Sequence, residues 1–201
     1  MIKIINIDSN ALSHELIEEA INWLKSGGLI VYPTDTSYGL GAVFNHHDRA
    51  SNIYLLKGRD EGKKLSVVIP SIEWANENLD VNKDQEGIIR QYLPGKYTFI
   101  LNTKNSNNTL GIRIPDSSFI QLLTRELNQP VTATSANISG ENDCFILSDL
   151  HKGIFKRAKL LKIDIYFYNA GKLKIGERST IVDLTKNPPV VIRQGSGEFK
   201  N

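Results

Sequence analysis

Four short polar stretches in this 201-residue chain carry residues that could do chemistry, and they sit next to apolar runs. The first is Tyr32-Pro-Thr-Asp-Thr-Ser-Tyr-Gly-Leu-Gly41. Hydroxyls and glycines directly after a strand can hydrogen-bond a small polar ligand while the backbone comes close. The same Asp and Thr side chains can equally close a self-satisfied turn. The second is Lys57-Gly58-Arg59, with Lys63 and Lys64 close behind. Arg grips a polyphosphate through two N–H groups and Lys adds a point charge; the competing reading is a solvated, charged loop. The third is Thr134-Ser-Ala-Asn-Ile-Ser-Gly140, whose hydroxyls, amide and backbone N–H groups suit an anion or nucleotide cradle, or else an N-cap and a turn. The fourth is a pair of single cations at strand ends, Arg113 in Gly-Ile-Arg-Ile-Pro and Arg193 in Val-Ile-Arg-Gln-Gly. An Arg inside an alternating apolar strand is costly unless its charge is paired, so each needs a buried acid or an anionic ligand. Ser179-Thr180, ahead of Ile-Val-Asp, completes the set.

Nothing among these residues forms a Ser-His-Asp or Cys-His arrangement. The four histidines, His14, His46, His47 and His151, do not make a metal set, and the adjacent His46-His47 pair reads as an exposed loop. The familiar phosphate signatures G-x-G-x-x-G and G-x-x-x-x-G-K-[ST] are absent.

The elements that must position these residues follow from periodicity. Ile2–Ile7 reads as a strand and His14–Ser26 as a helix, with Leu16, Ile17, Ala20, Ile21 and Leu24 on one face and Gly27-Gly28 as its stop. Leu29–Tyr32 is a short apolar strand, followed by a glycine-bearing loop and a helix near Arg49–Leu56. Leu65–Ile69 reads as a buried strand, Glu73–Tyr92 as helix-compatible sequence, and Pro94-Gly95 as a break. Thr98–Leu101 and Gly111–Ile114 are strands joined by the polar loop Asn102–Asn108. Ser117–Leu127 is a helix, and Val131–Thr134, Asp164–Asn169, Thr180–Asp183 and Val190–Arg193 are strands. Strands mixed irregularly with helices predict one α/β domain on a twisted mixed sheet rather than a doubly wound fold.

Composition is that of an ordinary soluble domain: 40% apolar, 23% charged, 15 glycines and seven prolines. No apolar window reaches membrane-helix length, no signal peptide is laid out at the N-terminus, and the single cysteine, Cys144, excludes an internal disulfide; a cytoplasmic location follows by default. The net charge of +2 does not argue for nucleic acid, but His151 to Arg178 holds eight Lys/Arg against two acids.

Taken in order, the motifs are more specific than any one of them. The succession Tyr-Pro-Thr-Asp-Thr-x-Tyr-Gly-Leu-Gly, Lys-Gly-Arg, Pro-Gly-x-x-Thr, Gly-x-Arg-x-Pro, Ser-Ala-Asn-x-Ser-Gly, Ser-Thr-x-Val-Asp and a final Arg closely resembles the YrdC-type (TsaC-like) L-threonylcarbamoyladenylate synthase family, from about Gly28 to Gly195. The resemblance implies one YrdC-like domain over 1–201, a twisted mixed sheet with flanking helices around a large basic cavity, and the single-domain form that lacks the extra C-terminal domain of longer relatives. It also implies a reaction. Bicarbonate or CO2 adds to the amine of L-threonine, the resulting carboxylate attacks the ATP α-phosphate, and pyrophosphate leaves, with Mg2+ expected on the phosphates. The product, threonylcarbamoyl-AMP, would pass to the machinery that builds threonylcarbamoyladenosine on tRNA.

Position by position, the resemblance makes Thr36, Arg113, the Ala133 backbone and Ser179 threonine contacts. It makes Lys57 and Arg59 the catalytic pair facing the triphosphate. Lys63, Thr109, Ser135, Asn137 and Arg193 become further nucleotide contacts. As exposed loop cations, Lys57 and Arg59 should contribute little to stability. The chain departs from the family at Val68, where many relatives have a His associated with the threonine site, at Lys96 in place of the second Pro of Pro-Gly-Pro, and at Glu141-Asn-Asp-Cys144 in place of a segment bearing Ser-Pro. Two other readings stand beside this one. A non-catalytic RNA-binding protein on the same fold would use the Lys152–Lys174 excess for direct tRNA contact, since a basic patch is an electrostatic footprint. A YrdC-type module that carbamoylates another acceptor is the third.

Overall fold

The computed structural model describes residues 1–44, 47–104, 106 and 108–200, without the side chains of 47–50, so His46 and the exposure expected of the His46-His47 pair lie outside the described residues, while the backbone of His47 opens a helix rather than a loop. β1 (Ile2–Asn6) leads to α1 (His14–Lys25). Ser13 caps the helix by accepting from the Leu16 N–H at 3.3 Å, and Ile17, Ala20, Ile21 and Leu24 form its buried stripe. Gly27, in the left-handed region at φ 88°, ends it after the Ser26 cap, and Gly28 then packs so closely that a Cβ there would fall 2.0 Å from the Trp23 ring. β2 (Leu29–Tyr32) is buried at every position because its faces meet different cores. Leu29 and Val31 join one cluster, Ile30 and Tyr32 another, which is why the strand reads as a continuous apolar run.

The expected glycine-bearing loop contains a strand, β3 (Gly39–Gly41). A Cβ at Gly41 would lie 2.6 Å from the Thr132 carbonyl, so side chains are excluded here by the approach of the neighbouring strand. With Leu40 the one side chain in the strand there is no period to read. Next come α2 (His47–Lys57), β4 (Ser66–Val68), α3 (Ile72–Asn78), β5 (Leu79–Asp80) and α4 (Lys83–Tyr92). The helix-compatible stretch is thus two helices. Asn82 starts the second through a reciprocal pair of bonds with Gln85, both 2.9 Å.

β6 (Tyr97–Thr103) and β7 (Thr109–Arg113) form a hairpin whose strands run further into the polar segment than the sequence suggests; Asn105 and Asn107 in its loop lie outside the described residues. The chain ends with α5 (Ser118–Leu127), β8 (Val131–Ser135), α6 (Leu147–Lys152), α7 (Ile154–Leu161), β9 (Ile165–Asn169), β10 (Thr180–Asp183) and β11 (Val190–Arg193).

Among the described residues the strands make one sheet in the order β1-β9-β2-β3-β8-β4-β7-β6-β10-β11, with β5 attached to β6. Parallel pairs such as β4 with β7 alternate irregularly with antiparallel ones such as β3 with β8, the mixed α/β sheet the sequence predicts. Its two halves are covered differently. Around β2 and β9, α1 and α5 pack Leu24, Phe119 and Leu123 on one face, while α2 and α7 pack Leu56, Phe155 and Ala158 on the other. The half made of β7, β6 and β10 is covered by α3 and α4 on one face, where Phe99, Leu101, Leu110, Ile112 and Val182 meet Ala75 and Ile89. The far edge is β11, where Val190, Val191 and Ile192 are exposed and β10 is the one neighbour.

Candidate active site

Strand alternation turns the helix-free face of that second half into a floor. The residues between the buried ones, Thr98 and Ile100 of β6, Thr109, Gly111 and Arg113 of β7, and Ile181 of β10, all line a cavity of about 300 Å³. Ser66 of β4 and Ala133 and Ser135 of β8 extend the floor, and the loop with Thr34, Thr36 and Ser37 forms a wall. The floor has to be low at Gly111, since a Cβ there would meet Ser66 Oγ at 2.6 Å. Thr34 holds the wall in place. Its Oγ1 accepts from the Thr36 and Ser37 N–H groups at 3.1 and 3.2 Å and donates to the Ser37 carbonyl at 2.6 Å.

The lining carries Arg59, Lys64, Arg113, Arg178 and Arg193 and, among the described residues, no Asp or Glu. Each cation is held by the fold. Arg113 pairs with Asp35 at 2.8 Å, and Asp35 also accepts from the Asp116 N–H at 3.0 Å. Only 11% of the Arg113 side chain is exposed, and its Nε is buried with no hydrogen-bond partner among the described residues. Arg193 donates to the Ser179 carbonyl from Nε (3.1 Å) and Nη2 (2.8 Å), and Ser179 Oγ in turn sits 3.0 Å from Thr98 Oγ1. Burial, with the Arg178 charge second, pulls the Arg193 pKa below its ordinary value. Arg59 donates to the Lys64 carbonyl at 3.1 Å, and Lys64 Nζ lies 3.4 Å from both oxygens of Thr109. Arg178 grips Asp143 through Nε and Nη2, each at 2.8 Å.

The structure thus brings Thr36, Arg59, Thr109, Arg113, Ala133, Ser135, Ser179 and Arg193 to one cavity. Lys57, Lys63 and Asn137 do not line it. Lys57 is not the exposed loop cation expected from sequence: it is the last residue of α2 and only 2% exposed. Its ammonium donates to the carbonyls of Ser135 and Asn137, the latter at 2.7 Å, and to Asn137 Oδ1 at 3.0 Å. The Lys57 carbonyl also accepts from the Ser139 N–H at 2.8 Å. Three acceptors match the three ammonium hydrogens, so this lysine ties the loop after β8 to the end of α2. Burial, then the Arg59 charge, lowers its pKa to about 8, which leaves it mostly ammonium at neutral pH.

Lys64 stands on the cavity where Lys63 was expected, one residue along in the same Lys-Lys pair. Arg178 was missed as well; its signal was its place in the basic excess after His151. Thr98, from Pro-Gly-x-x-Thr, and Gly111, from Gly-x-Arg-x-Pro, line the cavity as well. Val68 is wholly buried in the core with Tyr32 and Val131 and does not line the cavity. Lys96 contributes a backbone carbonyl that accepts from the Thr180 N–H. In the Glu141–Cys144 segment, Asp143 supplies the carboxylate for Arg178. Cys144 is buried, and burial pushes its thiol up to about 12, so it stays protonated and unreactive. Among the described residues no group of three or more His, Cys, Asp or Glu side chains could hold a metal.

Comparison with known proteins adds relatives to this geometry. The family model Sua5_yciO_yrdC, described as telomere recombination, matches residues 22–195. An uncharacterized protein of Haemophilus influenzae is 30% identical over 191 residues, covering 90% of each chain. A Methanocaldococcus jannaschii protein named putative threonylcarbamoyl-AMP synthase is 32% identical over 195 residues, covering 92% of this chain and 89% of its own. The structure of Pyrococcus abyssi Sua5 complexed with L-threonine superposes with a TM-score of 0.83 at 25% identity; the match covers 97% of this chain but only 57% of that one.

Proposed function

From its membership of the Sua5/YciO/YrdC family, to which this chain belongs, we propose that it makes L-threonylcarbamoyl-AMP from L-threonine, bicarbonate or CO2, and ATP. The observation that carries the reading is the charge on the cavity: Arg59, Lys64, Arg113, Arg178 and Arg193 with no carboxylate on the lining among the described residues. Relatives named threonylcarbamoyl-AMP synthase at 27–32% identity supply the reaction class.

In this reading the threonine carboxylate pairs with Arg113, whose buried Nε has no acceptor among the described residues, and Thr36, Ser179 and the Ala133 backbone surround the rest. The threonine amine adds to bicarbonate or CO2, and the new carboxylate attacks the α-phosphate. No side chain serves as nucleophile; the protein's task is to stabilise charge developing on the α-phosphate and on departing pyrophosphate. Arg59, Thr109, Ser135 and Arg193 serve the nucleotide, with Lys64 in the place first assigned to Lys63. Lys57 and Asn137 act through the loop they hold, by fixing where Ser135 points. Among the described residues the lining offers no carboxylate to hold a metal, and in this reading Mg2+ comes with the nucleotide phosphates as part of the substrate. The whole chain, 1–201, works as one YrdC-like domain in the cytoplasm and hands its product to the tRNA-modifying machinery; among the described residues no helix is long and apolar enough to cross a membrane.

Pyrophosphate release, measured with ATP, Mg2+, bicarbonate and a panel of amino acids, tests the proposal. Release should require threonine and bicarbonate together, because the attacking carboxylate exists only after both combine. Release that persists with either omitted would refute it. RNA binding through the exposed Lys152, Lys156 and Lys159, with no turnover, would favour the RNA-binding reading instead.

A further inference from the structure

We propose that Arg178 is a further phosphate-binding cation of the cavity and that Asp143 is the residue that positions it. The inference rests on the nucleotide-dependent reading of the same cavity and adds a contact that none of its motifs contains.

Arg178 precedes β10 and lines the cavity beside Ser179, yet it is held from the opposite loop. Asp143, 35 residues earlier, accepts from Nε and Nη2 along one edge of the guanidinium. That side-on grip leaves Nη1 without an acceptor among the described residues, on a side chain still 48% exposed. Asp143 itself is only 10% exposed. It is fixed in turn by Asn137, whose Nδ2 donates to it at 3.3 Å and whose Oδ1 receives Lys57 at 3.0 Å. The chain Lys57–Asn137–Asp143–Arg178 therefore runs from the buried end of α2 to a half-exposed guanidinium on the cavity. A surface ion pair has no need of such backing; a fork that must meet a ligand at a set place does.

Charge indicates the class of ligand. Asp35 and Asp143 offset Arg113 and Arg178, so the five lining cations leave an excess of three. A single carboxylate cannot balance that, whereas a polyphosphate can. Arg178 also stands between the two ends of the set. Behind burial, the main cause at both residues, it adds to Arg59 in lowering Lys57 and stands ahead of Arg113 in lowering Arg193, while Asp143 opposes it at both places. An anion seated there relieves repulsion at both ends.

The test titrates the full-length protein and its variants with ATP, pyrophosphate and L-threonine separately, and records Tm for each variant. Arg178→Ala should weaken ATP and pyrophosphate by about tenfold to a hundredfold, the range for losing a charge-assisted bond, and leave threonine within about threefold. Asp143→Ala should raise KM for ATP more than it lowers kcat, and Asp143→Glu should restore most of the loss. Arg178→Ala with wild-type affinity for both phosphates and a lowered Tm would reduce the pair to a structural tie and overturn the proposal. Tighter ATP binding by Asp143→Ala would also overturn it, since Asp143 would then compete with the ligand. The two readings fail separately. A wild-type protein that binds pyrophosphate but makes no adenylate refutes the synthase assignment and leaves the Arg178 titration decisive; one that binds neither phosphate refutes both.

Discussion

Replacing Lys57 with Ala should destabilise the protein far more than replacing Arg59, although the two stand in one Lys-Gly-Arg motif. The Lys57 ammonium is 2% exposed and satisfies the Ser135 carbonyl, the Asn137 carbonyl and Asn137 Oδ1. Truncation leaves three acceptors in a space that water can enter only in part. Taking the low end of about 1–3 kcal/mol for each stranded buried acceptor gives about 3 kcal/mol. In a domain of this size each kcal/mol moves Tm by about 2–4 °C, so the expected drop is about 6–12 °C. Arg59 gives up weaker bonds to the Lys63 and Lys64 carbonyls at the surface, and Arg59→Ala should cost about 1 kcal/mol or less. Thermal unfolding followed by circular dichroism at pH 7 measures both. Lys57→Met, which keeps most of the volume and none of the donors, separates lost packing from lost hydrogen bonds and should fall near Lys57→Ala. A Tm for Lys57→Ala within 2 °C of wild type would refute the claim that this lysine braces the loop.

Titration of the same lysine gives a second expectation. Its pKa is lowered to about 8 in the folded chain from 10.5, so between those values the unfolded chain binds more protons and stability rises with pH. The stability difference between wild type and Lys57→Met should therefore widen from pH 8 toward pH 10 in denaturant titrations; a constant difference would contradict the lowered pKa. Arg113→Ala should weaken threonine about tenfold or more while ATP affinity stays within a few-fold, and Arg193→Ala should do the reverse, by calorimetric titration with one ligand at a time. Equal loss of both ligands together with a lowered Tm would reassign the two arginines to holding the fold.

The sequence is most legible where side-chain period and burial agree. β10 and β11 fall on their expected residues, and β2 is readable because both its faces are buried. Gly39–Gly41 is not, since close neighbours exclude side chains at both glycines and Leu40 alone shows no alternation. Among site residues, Arg113 and Arg193 are conspicuous because a cation inside an apolar strand demands a reason. Lys57 misleads for the opposite reason: beside Gly58 and Arg59 it looks like a solvated cation, and only the folded chain brings Ser135 and Asn137, 78 and 80 residues on, to its ammonium. Arg178 shows only as one cation of the basic excess after His151, because its meaning depends on Asp143, which has no motif of its own.

The unequal covering of the sheet has a kinetic side. Amide protons of β2 and β9, enclosed between helices on both faces, can reach solvent only when much of the molecule opens. β11 has exposed side chains at Val190, Val191 and Ile192 and hydrogen bonds to β10 alone, so detaching it breaks one short ladder. Arg193 rides on that outermost strand, while Arg113 lies three strands further in on β7, past β10 and β6. The two arginines consequently sit on opposite ends of the local-opening scale. The pocket is rigid where Arg113 is planted and compliant where Arg193 reaches in, and a ligand gripping Arg193 stitches the loose margin of the sheet to its fixed interior.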